Sequence, residues 1–182
     1  SVASAERIAS VVAILKTYHE NGEQVAVVFS AFGGITNLLI EMSELAANAD
    51  DEWKAKFQSF KRRHLEVVYT LLNGEHLEEA TKVVEEGISN LENILHGIYL
   101  IKEASLRTMD YVQSFGERHS AFIISKVLFS FCSLHTKTIN WNDFITFNFR
   151  ENNLILRLVF NQSVQFIVLR MHYVQKKNKQ KG

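Results

Sequence analysis

The chain has no proline, one cysteine and only eight glycines in 182 residues. A single thiol, Cys132, excludes an intramolecular disulfide framework. The seven histidines (His19, His64, His76, His96, His119, His135 and His172) form neither an HExxH pair nor a Cys/His ligand set, so no metal site is expected. Without proline, the breaks between elements fall to glycine and asparagine. Long uncharged apolar runs are missing as well. The stretch from Leu154 to Val174 is interrupted by Arg157 and Arg170, and Ser1 to Arg7 has neither the basic stretch nor the apolar run of a signal peptide. No membrane span is expected, and a reducing, cytoplasmic setting is.

Acidic residues are scarce at one end. Residues 1–120 hold eighteen acids against eleven bases, whereas residues 121–182 hold only Asp143 and Glu151 against nine bases. Those bases stand singly in apolar sequence until Lys176, Lys177, Lys179 and Lys181, the pattern of a solvated tail, and no nucleic-acid partner is expected. What is present is 47% apolar and 22% charged sequence, enough for one globular domain with a real core.

Ser4 is placed to cap a helix carrying Ile8, Val11, Val12, Leu15 and Tyr18, which Asn21-Gly22 stops. Gln24 to Ser30 is the clearest strand. Its near-continuous apolar run predicts burial on both faces, as in a parallel sheet covered by helices. Ile35, Leu38, Leu39, Met42 and Leu45 mark a second helix, and Asn48 to Asp51 cap a third from about Glu52 to Leu72, which Asn73-Gly74 ends. A long amphipathic helix follows from His76 to about Glu103, with Gly87 and Gly97 attributed to close helix packing. Further helices are predicted over Thr108–Gln113 and Arg118–Leu134. Beyond these, Thr138–Trp141, Phe144–Phe149, Leu154–Phe160 and Val164–Met171 read as strands, with Asn161-Gln162-Ser163 as a hairpin turn.

Two segments carry candidate chemistry. In Val25 to Asn37 a strand ends in Ser30, turns through Gly33-Gly34 and enters a helix at Thr36. A hydroxyl at the carboxyl end of a strand, two glycines and the first N–H groups of a helix suit an anion, with Gly33 and Gly34 as backbone contacts. In Ser114-Phe115-Gly116-Glu117-Arg118-His119-Ser120, the glycine reads as the start of a helix and Glu117 as an acid in its first turn. Such an acid either satisfies the helix dipole or recognises an ammonium group. Arg118 and His119 read as surface residues, and Lys61-Arg62-Arg63 as the solvated face of a helix.

Together these stretches resemble the aspartate kinases of the amino acid kinase family. Ser1 to Ile8 is similar to the continuation of the family signature Lys-Phe-Gly-Gly-Thr-Ser-Val, Val27 to Asn37 to its Val-Leu-Ser-Ala-x-x-Gly-Ile-Thr-Asn segment, and Ser114 to Ser120 to its Gly-Glu segment with flanking serines. Ile94 to Leu100 is similar to the bifunctional aspartokinase/homoserine dehydrogenase branch. The resemblance implies an α/β fold, a partial αβα sandwich of the amino acid kinase type, helix-rich with a strand-rich carboxyl third. It divides the chain into a partial catalytic domain over residues 1–134 and a divergent strand-rich segment with a basic tail over 135–182. It implies transfer of the ATP γ-phosphoryl group to the side-chain carboxylate of L-aspartate, the first committed step toward lysine, threonine and methionine. Ser30, Thr36 and Glu117 match positions that hold aspartate, with Glu117 suited by charge to the α-amino group. ATP and Mg²⁺ serve the complete enzyme, which is expected to be a homo-oligomer.

Parts of the family pattern are not found. The signature lysine that works at the phosphates is absent from these residues, and Ile139 to Ile145 is not followed by the expected Phe-Gly or the later acidic and glycine-rich nucleotide motifs. An incomplete kinase domain, inactive by itself and with no assigned catalytic residue, is therefore expected. The alternative is a non-catalytic helical interaction or regulatory module, favoured by the long amphipathic helix and the missing phosphate loop.

Overall fold

A computed structural model describes residues 4–22, 26–132, 136–139 and 165–169. Helix α1 spans Ala5–Glu20, where Ser4 in extended conformation accepts at its hydroxyl from the Arg7 N–H. It buries Ile8, Val12 and Leu15 and leaves Tyr18 exposed. Strand β1, Ala26–Phe29, leads through a short turn to α2, Ile35–Ala47. Helix α3, Glu52–Leu71, starts after Asp50, whose side chain accepts from the Glu52 N–H at 2.9 Å. Its Trp53, Phe57, Phe60, His64, Leu65, Val67 and Val68 are buried.

Helix α4 runs from Gly74 to Ile101 and buries Val84, Ile88, Leu91, Leu95 and Ile98. Intervals of four and three keep these residues on one stripe of the helix, as its amphipathic pattern requires. The turn at Lys102 takes a left-handed conformation, and α5 follows over Leu106–Cys132. α5 packs against every other described element, which explains why buried residues occur around its whole circumference. Val112, Phe115, Ala121, Ile123, Ile124, Val127 and Leu128 all lie in the core.

α5 is one continuous helix where two were expected. Gly116 does not begin a helix; it lets one pass. A Cβ there would lie 2.9 Å from both the Ala31 Cβ and the Ile35 Cγ2, so the missing side chain admits the start of α2 against α5. The packing reason offered for the glycines of α4 holds at Gly87, where a Cβ would overlap the ring of His119. It fails at Gly97, which faces open space.

The described sheet is antiparallel rather than parallel. Strand β2, Thr136–Ile139, pairs with β3, Gln165–Leu169, and β3 pairs with β1 with Ala26 opposite Val168 and Phe29 opposite Gln165. β1 is also not buried on both faces: Phe29 is in the core while Val28 is half exposed. An apolar run carries no information about strand direction, and alternate side chains point to opposite faces whatever their polarity. The strands expected at Phe144–Phe149 and Leu154–Phe160, and the Asn161-Gln162-Ser163 turn, lie outside the described residues.

Candidate substrate-binding site

The site begins where β1 ends. Ser30 is exposed, and its carbonyl accepts from the Ser120 hydroxyl of α5 at 2.8 Å. The same Ser120 oxygen lies 3.0 Å from the carbonyl of Glu117, one helical turn earlier. The two segments singled out in the sequence are thus joined directly, ninety residues apart.

After Ser30 the chain turns through Phe32, Gly33 and Gly34. The Ile35 N–H donates to the Phe32 carbonyl at 2.9 Å and the Leu38 N–H to the Gly34 carbonyl at 3.1 Å, which closes the turn onto α2. Gly34 has φ of +78°, a left-handed conformation that favours glycine. As the residue preceding α2 it supplies no side-chain cap, and the first turn of that helix carries no acid. The positive end of the helix dipole therefore meets no compensating side chain of its own helix. Thr36 sits in this first turn, half-buried.

Glu117 lies well inside α5, so the helix-dipole role considered for it is ruled out by position. It is half-buried. Its Oε2 is shielded from solvent and has no hydrogen-bond partner among the described residues. Burial pushes its carboxyl up from 4.5 to about 7. A carboxylate left unpaired in a partly desolvated position is poised to gain from an incoming cation.

Arg63 was missed by the sequence reading. Arg62 is solvated as expected, but Arg63 is half-buried and its Nη2 donates to the carbonyl of Gly33. Helical spacing held the signal: the buried stripe Phe57, Phe60, His64, Val67 passes immediately beside it. His119 also departs from expectation. It is buried, its ring 5.4 Å from that of His64 and flanked by Phe60 and Phe115. Desolvation drives His64 down to about 4 and His119 down to about 3, so both are neutral imidazoles near pH 7. Arg118 is half-buried, its guanidinium 4.3 Å from the Phe115 ring centroid.

Among the described residues no group of three histidines, cysteines or carboxylates is placed to hold a metal ion. No described helix is long and apolar enough to cross a membrane.

The sequence model of the amino acid kinase family matches residues 1–168. Aspartokinase 1, chloroplastic, of Arabidopsis thaliana is 34% identical over 131 residues, 70% of this chain and 22% of that protein. Aspartokinase 2, chloroplastic, of the same plant is 33% identical over 131 residues, covering 70% and 23% respectively. Its bifunctional aspartokinase/homoserine dehydrogenase 2, chloroplastic, is 27% identical over 154 residues, 85% of this chain and 16% of that protein. The chain thus spans less than a quarter of the length of these relatives. With the serine-ended strand, the glycine turn and the Gly-Glu segment brought together as described, the chain belongs to the amino acid kinase family.

Proposed function

We propose that these residues form the aspartate-binding part of an aspartate kinase, the enzyme that transfers the ATP γ-phosphoryl group to the side-chain carboxylate of L-aspartate. The observation that carries this reading is the half-buried Glu117, whose carboxylate Oε2 is shielded from solvent with no hydrogen-bond partner among the described residues, and whose backbone carbonyl lies beside the Ser120 hydroxyl that meets the end of β1. Glu117 in its ionised form receives the substrate ammonium. Ser30 and Thr36 offer hydroxyls, and Gly33 and Gly34 offer N–H groups, to the substrate's anionic end. Phosphoryl transfer to a carboxylate needs positioning and charge neutralisation more than covalent chemistry by the protein, and a site of hydroxyls, amides and one acid suits the first requirement.

ATP brings the phosphoryl group, and Mg²⁺ accompanies the nucleotide; the described residues fit no Mg²⁺ site of their own. The names of the relatives support kinase chemistry, and their chloroplastic designation is theirs; for this chain a cytoplasmic setting rests on its single cysteine. Assembly into homo-oligomers, the αβα sandwich, the division at residue 134 and the lysine and threonine pathways belong to the same proposal.

Calorimetry on the 182-residue polypeptide tests it. L-aspartate should bind, and succinate, which lacks the ammonium, should bind much more weakly. Glu117→Gln should reduce aspartate affinity by about tenfold or more, the scale of a charge-assisted hydrogen bond, while leaving succinate nearly unaffected. Equal losses for both ligands would contradict the assignment of Glu117 to the ammonium. Because the signature lysine is not among these residues, the polypeptide by itself should bind aspartate without turning ATP over. Aspartate-dependent ADP release in a coupled assay, well above an aspartate-free control, would disprove that.

A further inference from the structure

The face of α3 that meets the glycine turn is built from three residues. Phe60 and His64 are buried, the His64 Nδ1 lies 2.9 Å from the Phe60 carbonyl, and the ring of Phe32 packs 5.2 Å from that of His64. Beside this apolar contact, the Arg63 guanidinium takes the carbonyl of Gly33, and its Nη1 is the nearest atom to the side of Gly34 where a Cβ would stand, at 3.8 Å.

A trans peptide is planar, with its C=O and N–H on opposite sides. Holding the Gly33 carbonyl toward α3 therefore directs the Gly34 N–H away from α3. Glycine has the freest backbone of any residue, and the peptide between two glycines is the one most able to flip, so without an external anchor this plane would sample both orientations. Only one of them presents the amide to a ligand.

We propose that Arg63 is a positioning residue: it fixes the Gly33–Gly34 peptide plane so that the Gly34 N–H is presented to the anionic end of the substrate. This rests on the reading of the turn as part of the aspartate site. The guanidinium acts through the backbone and does not itself touch the substrate. Lysine can supply charge and reach but not the planar fork that fixes direction, so it replaces arginine only in part.

The test uses the ¹⁵N-labelled 182-residue polypeptide as wild type, Arg63→Met and Arg63→Lys. Residual dipolar couplings report the direction of the Gly34 N–H without any ligand, and an L-aspartate titration is followed at the Gly34 and Thr36 amides. Arg63→Met should change the Gly34 coupling while leaving couplings within α4 and α5 as they were, and should weaken aspartate binding about tenfold, with Arg63→Lys weakened about threefold. A general loss of stability would not single out one amide. Wild-type coupling and affinity in folded Arg63→Met would overturn the positioning role while leaving the aspartate site intact. Should Arg63→Met not fold, Arg63→Lys decides, and wild-type values there overturn the proposal. Absence of aspartate binding to the wild type would overturn the functional reading itself, and the role of Arg63 with it.

Discussion

Buried ionisable side chains set the behaviour of this molecule at the residue scale. His64 and His119 are held neutral by desolvation, with pKa values of about 4 and 3 against an ordinary 6.5. Between pH 6.5 and about 4 the unfolded chain binds more protons at these positions than the folded one, so stability falls as the pH falls. Each imidazole contributes up to about 1.4 kcal/mol per pH unit in that window. Glu117 works in the opposite sense between 4.5 and about 7, because its folded form keeps a proton that the unfolded form has lost. Two histidines outweigh one half-exposed acid. Urea midpoints should therefore drop from pH 7 to pH 5, and His64→Gln should flatten that dependence whatever it does to the absolute midpoint; equal wild-type midpoints at the two pH values would contradict this. Little of it was legible beforehand. Ser30 and Glu117 stand in recognisable motifs, whereas Arg63, His64 and His119 are polar residues beside apolar stripes, and single-residue polarity hides which side of the helix faces inward.

At the scale of elements, helix periodicity was a good guide and glycine was an ambiguous one. α1 to α4 follow from their apolar spacing and from the stops at Asn21-Gly22 and Asn73-Gly74. In the sequence Gly116 reads as a tight entry to a helix, yet it lies in the interior of one, where glycine is costly. The close approach of Ala31 and Ile35, which offsets that cost, is visible only in three dimensions. The three glycines of α4 and α5 that lie inside helices make the distinction testable. Gly116→Ala forces atoms together and should destabilise the fold by about 1–3 kcal/mol. Gly97→Ala meets no neighbour and should stabilise it by up to about 1 kcal/mol. Thermal or urea unfolding of the two variants checks the pair, and a stabilised Gly116→Ala would refute the packing of α2 on α5 described above. β1 shows the complementary limit: its sequence defines a strand, but the direction of its partner depends on where the rest of the chain returns.

For the whole molecule, α5 is the organising element, since it touches every other described element and carries both Glu117 and the Ser120 hydroxyl that meets the end of β1. Family membership was legible because the stretches that resemble the family's segments stand in matching order along the chain. The substrate assignment depends on whether Glu117 meets an ammonium group. Its burial makes the event measurable. A carboxyl pushed up to about 7 keeps part of its proton at neutral pH when free and must give it up to bind a cation. Calorimetric titration of the 182-residue polypeptide with L-aspartate at pH 7, repeated in two buffers of different ionisation enthalpy, reads that release directly. Protons should leave as aspartate binds to the wild type, more of them as the pH is lowered from 7 toward 6, and none should leave in Glu117→Gln. Aspartate binding with no proton release in the wild type, or with the same release in Glu117→Gln, would contradict the assignment of Glu117 as the group that holds the substrate.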